Sequence, residues 1–228
     1  MSRRITALNN MGVRSLQRGY FCDAILSFRH AIVELQAHVT NSDWELDYDT
    51  NTSEQGMPLL RSKLEFFQET KIRDVSPHNI FEIFPYAFGV PRSRNNSMCE
   101  MPFEISVVLL FNLGLAHHLA GLLGHDDRKD HLVQAHNHYK RSMAIFHSCE
   151  EDSNFDLSFC SLLCGLCTNS GHILSHLGHT EEAISCSDYL STILESPACL
   201  MDLSMEECEY FYTLTYSSQH SGKVAPAA

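Results

Sequence analysis

Three times in 228 residues the chain writes asparagine, any residue, glycine within an apolar stretch: Asn10-Met11-Gly12, Asn112-Leu113-Gly114 and Asn169-Ser170-Gly171. Around the first and third copies the neighbours repeat too. A second glycine follows seven residues on, at Gly19 and Gly178, and an alanine twelve residues on, at Ala24 and Ala183. A glycine inside a helix costs about 1 kcal/mol relative to alanine, because it loses the most backbone freedom on ordering and brings no side chain to pack. Such a cost recurring at matched offsets requires a matched compensation, namely helices that approach too closely for a Cβ. In the first copy Phe28 stands four residues after Ala24 and Ala31 three further on, so small, large and small side chains share one helical face.

Leu8, Gly12, Gly19, Phe21, Ala24, Phe28 and Ala31 together resemble the tetratricopeptide (TPR) repeat, a helix-turn-helix unit of about 34 residues. The resemblance covers residues 5–38. A second copy, 104–148, keeps Leu110, Gly114, Ala135 and Tyr139, but carries nine extra residues within GLLGHDDRKD, which predicts a lengthened turn; Ser142 stands where the repeat has alanine. The third copy, 156–196, has the correct spacing, with Thr180 expected as helix cap ahead of Glu181 and Glu182, and Ser187 in place of the usual aromatic. Residues 204–216, opened by Ser204, read as a capping helix. The resemblance implies an all-α fold in a single domain, 1–228: an α-α superhelix of TPR-like repeats, three being about the minimum that buries its own faces.

Residues 41–103 do not fit a repeat. They hold Pro58, Pro77, Pro85, Pro91 and Pro102, and the run NIFEIFPYAFGV is dense in aromatic and β-branched residues. A partly extended, aromatic-rich insert is expected there, an edge strand or short hairpin packed on the helices.

Composition narrows the partners. A formal charge of -12 repels nucleic acid and anionic membrane surfaces, although Arg3, Arg4, Arg14 and Arg18 make the first repeat locally basic. No apolar stretch follows the N-terminal charges, so no secretory signal is expected. The run 103–124 is apolar enough to suggest a membrane span, but Asn112, His117 and His118 within it point to a buried helix. Nine cysteines in an odd, unframed pattern fit a reducing compartment, so a cytoplasmic location is expected, and the acceptor patterns at Asn51 and Asn95 are discounted.

For chemistry, the tempting cluster is Cys160, Cys164 and Cys167 followed by His172, His176 and His179. At about 100° per residue the cysteines share one helix face and the histidines another, so one helix cannot gather both sets around zinc. The cysteines are expected as small core residues, and His117, His118, His131, His136 and His138 as titratable surface groups. No phosphate loop, nucleophile elbow or metalloprotease motif is present. The expectation is therefore a protein that is not an enzyme and needs no cofactor; a metal-binding or redox role for the Cys160/Cys164/Cys167 and histidine cluster is the alternative.

The resemblance places the concave groove on the first helix of each repeat, at the asparagine two before the repeat glycine and at residues one, four and five after it. Those positions are Asn10, Val13, Leu16 and Gln17; Asn112, Leu115, His118 and Leu119; Asn169, His172, Ser175 and His176. Three amides in a row suit the backbone of an extended or helical peptide, and bridging between neighbouring helices is the other use of them. A carboxylate clamp of the chaperone-binding kind is excluded, since Asn9, Val13, Gly165 and Asn169 occupy its positions. The expected function is an adaptor that binds a protein or peptide in the groove. In the intramolecular version of it, the 41–103 insert occupies the groove instead.

Overall fold

The glycine pattern is realised as helix pairs. The computed structural model describes residues 3–41, 59–64, 81–91, 102–123, 127–150 and 159–221. Among these, eight helices account for 83% of the residues: α1 (Arg3–Gln17), α2 (Phe21–Asn41), α3 (Pro102–Leu123), α4 (Arg128–Glu150), α5 (Cys160–Leu177), α6 (Thr180–Leu194), α7 (Pro197–Asp202) and α8 (Met205–Ser221). The described residues are all-α but for two short strands, β1 (Leu60–Lys63) and β2 (Tyr86–Gly89), which pair antiparallel with Arg61 opposite Phe88.

Helices pack in sequence, α1 on α2, α3 on α4 and α5 on α6, and α2 and α4 carry the packing on to the next pair. The repeated glycines have two separate uses. Gly19 and Gly178 both take positive φ, 74° and 80°, in the turn between paired helices, where the next residue's N–H closes onto a carbonyl five residues back: Tyr20 to Ser15 at 2.9 Å and His179 to Leu174 at 2.9 Å. Gly12 and Gly114 are points of close approach. A Cβ on Gly12 would lie 2.5 Å from the Phe28 ring, and one on Gly114 2.6 Å from the Tyr139 ring, so the second helix of each pair lays an aromatic directly on the backbone of the first.

One core runs the length of the stack, from Ile5 through Phe28, Phe111 and Cys164 to Phe211. Helix α3 is its centre. Although Phe103–Leu123 is long and apolar enough to cross a membrane, 83% of its apolar window is buried within the protein. Cys160, Cys164 and Cys167 are buried on α5 as expected.

Several expectations are corrected. The nine extra residues of the second copy do not all go into a lengthened turn: α3 continues to Leu123 and α4 starts at Arg128, so the two helices grow longer. Gly121 makes the extension possible, because a Cβ there would press within 3.1 Å of the Arg128 carbonyl and the Leu132 side chain. Thr180 is the first residue of α6, not its cap; His179 holds the cap position without a side-chain hydrogen bond to the backbone, and its Nδ1 lies 3.3 Å from Glu182 Oε1. Residues 197–202, unassigned from sequence, form α7 with Pro197 in its first turn. The capping helix runs to Ser221, and Ser204 does cap it: its Oγ accepts the Glu207 N–H at 3.2 Å while Glu207 Oε2 accepts the Ser204 N–H at 2.9 Å, a reciprocal capping box. Pro85 precedes β2 and so removes no ladder donor from it. Asn51, Asn95, Pro77 and the C-terminal residues 222–228 lie outside the described residues.

Candidate functional site

The three recurrent asparagines converge on one object, the chain's own segment Phe81–Pro91. Asn112 Oδ1 accepts the Phe88 N–H at 2.9 Å and its Nδ2 donates to the Phe88 carbonyl at 2.7 Å. Asn10 does the same two residues on, accepting from the Val90 N–H at 3.0 Å and donating to the Val90 carbonyl at 2.8 Å. Asn169 Oδ1 accepts the Phe84 N–H at 2.8 Å. Each of the first two amides presents a donor and an acceptor to one residue, as a neighbouring strand would, so β2 is paired on one edge by β1 and on the other by side chains. The segment runs against the order of the helices, residue 90 at α1, 88 at α3 and 84 at α5, and Tyr210 on α8 donates its hydroxyl to the Glu82 carbonyl at 3.1 Å.

Sequence reasoning missed Asn9. Buried on α1, it donates to the Phe88 carbonyl at 3.0 Å and accepts from Asn112 Nδ2 at 2.9 Å, so the doublet Asn9-Asn10 serves two residues of the segment. The doublet itself was the available signal. Two side chains of β1 are fixed by a polar cluster. Arg61 on β1 donates to Glu207 Oε2 at 2.8 Å and to the Asp202 carbonyl at 3.0 Å; the other Glu207 oxygen accepts from Ser161 at 2.5 Å, and Lys63 pairs with Glu206. Glu207 is 2% exposed, so its charge is out of water and fully engaged.

Of the other expected groove positions, Val13, Leu115, His118 and His172 are buried, His176 is half-buried, and Gln17 remains exposed at the end of α1. Leu16 and Leu119 are buried core residues as well. The expectation that the histidines are surface groups is wrong for the pair on α3: His117 and His118 are 3% and 0% exposed. Each meets a histidine of another helix. His118 Nε2 lies 3.0 Å from His172 Nδ1 of α5, and His117 Nδ1 lies 3.0 Å from His131 Nδ1 of α4, with one nitrogen of each pair carrying the proton the other accepts. Protonation of His117, His118 and His172 is opposed. Burial, then the neighbouring His138, His131 and Arg29, lowers His117 to about 3; burial and then His176 lowers His172 to about 3; burial with His172 and His176 holds His118 well below its ordinary range. These rings are neutral hydrogen-bonding partners that bridge helices at neutral pH.

The thiols behave likewise. The hydrogen bond that its own thiol donates to Cys199, and then burial, push Cys160 up; burial and then the neighbouring Cys186 raise Cys167 well above its usual range; burial and then Glu182 bring Cys186 to about 11. Among the described residues no group of three or more His, Cys, Asp or Glu is arranged to hold a metal ion.

No protein-family model matches the chain. Nor does any curated protein or solved structure.

Proposed function

We propose that this protein is a non-catalytic interaction module of the TPR-like kind. In this reading the three helix pairs form an α-α superhelix whose concave groove, on α1, α3 and α5, holds an extended peptide and is filled from within by residues 81–91. The observation that carries it is the amide ladder: one asparagine from each first helix, two residues before the repeat glycine, bonds to the backbone of a single extended segment. Backbone recognition by a ladder of side-chain amides is a way of holding chain rather than of transforming it. The partner is a protein or peptide, and the buried thiols suit a reducing, cytoplasmic setting.

Hydrogen exchange on the isolated protein tests this. The Phe84, Phe88 and Val90 amides should be protected, and the combined Asn10→Ala, Asn112→Ala and Asn169→Ala variant should release them while α2 and α4 keep their protection. Equal exchange of these amides in both forms would end the groove assignment. The metal or redox alternative that uses the cysteines needs thiolates, which burial disfavours here; one zinc or copper per chain in purified protein would restore it.

A further inference from the structure

The segment in the groove is gripped by its side chains as well as its backbone, and the gripping residues are two glycines of α5. A Cβ on Gly171 would lie 2.5 Å from the Phe81 ring, and one on Gly165 2.6 Å from the Phe84 ring and 3.3 Å from Phe111. In the first two pairs the repeat glycine is covered by an aromatic of its own partner helix, Phe28 or Tyr139. In the third pair that position is Ser187, buried but without a ring, and Phe81 takes the vacant place beside Leu174 and Ala183. Further along, Phe84 lies against Phe211 with ring centroids 5.0 Å apart, and Phe88 meets Phe111 at 5.2 Å. Gly89 is also constrained, since a Cβ there would sit 3.3 Å from both Asn10 Oδ1 and the Leu60 Cβ.

Resting on the self-filled groove proposed above, we infer that the groove is a selective receptor for an extended peptide with phenylalanine at its first, fourth and eighth positions and glycine at its ninth, and that a segment of another protein with this pattern replaces residues 81–89. The glycine sockets are cut to flat rings, the amides read only backbone, and the ladder is uncharged. Recognition therefore depends on ring spacing and is insensitive to salt.

The test uses the full chain with site-specific protease sequences placed within 66–78 and 93–100, cut after folding, and a fluorescent peptide of residues 79–91. The labelled peptide should displace the cut fragment, equally at low and high salt. Competitor peptides with Phe81→Ala or Phe84→Ala should be weaker by about 100-fold or more. A scrambled peptide of the same composition that competes as well would overturn the inference. So would a fragment that never exchanges, a cut protein that unfolds on losing it, or an uncut chain that dimerises by sharing the segment. In those cases protected Phe84 and Val90 amides in the uncut protein would still uphold the self-filled groove. A second variant needs no cutting: Ser187→Phe supplies the third pair with its own ring, and should expel Phe81, raising exchange at residues 81–84 while 86–90 stay protected. Unchanged protection there would refute the Gly171 socket.

Discussion

The first and third helix pairs carry the same glycine and alanine spacing, yet only the first closes on itself. Gly12 receives Phe28 from α2, whereas Gly171 receives Phe81 from a segment that approaches from outside the pair. The difference is one side chain, Ser187 in place of an aromatic. A repeat can thus lose a packing residue without losing the fold when another part of the chain brings a ring to the same spot. The cost is dependence: the third pair is completed only while the segment is in place.

Truncating the rings should separate the two cases most strongly. Phe28→Ala and Phe81→Ala should each cost about 3–5 kcal/mol, as fully buried phenylalanines do. Phe28→Ala should loosen α1 and α2, and Phe81→Ala should loosen α5 and α6 and spare the first pair. Residue-resolved hydrogen exchange reads this, and a Phe81→Ala variant that loosened both pairs alike would show that the borrowed ring is not what closes the third.

Acid should discriminate in the same direction. His117 and His172 titrate near 3 when folded and near 6.5 when unfolded, so below pH 6.5 the unfolded chain binds more protons. Their stabilisation is complete above pH 6.5 and is lost as pH falls toward 3, at about 1.4 kcal/mol per pH unit for each, or about 2 kcal/mol each by pH 5. The first pair has only exposed histidines, His30 and His38. Denaturation followed from pH 7 to pH 5 should therefore show α3 to α6 weakening first, and His172→Asn should flatten the pH slope.

Asn112→Ala should cost less than either ring, about 1–3 kcal/mol for the Phe88 N–H left without a partner, while Asn9 still serves the Phe88 carbonyl. Its urea midpoint should fall further than that of Asn10→Ala, whose site is half-exposed to water. Smallest of all, Lys63→Ala removes a surface ion pair with Glu206 and should leave the midpoint unchanged within error, at low and high salt alike.

The helix pairs were legible because their signals are local. The Gly12–Phe28 contact, the left-handed glycines of the turns and the Ser204–Glu207 capping box each lie within a few helical turns of sequence. The amide ladder was half legible: Asn10, Asn112 and Asn169 stood out by position, but Asn9 did not, since its partners, Phe88 and Asn112, are remote in sequence. The histidines misled because polar neighbours on α4 suggested water, while the face of α3 that carries His117 and His118 is covered by helices whose approach no periodicity encodes.

By itself, then, the sequence determined the paired helices, the glycines too crowded for a Cβ and the row of amides, since each follows from sterics and hydrogen-bonding capacity within one repeat. Only the tertiary structure decided what those amides hold and which ring covers Gly171. Both depend on a segment brought back across the stack, where close packing selects among aromatics that are equivalent in the sequence.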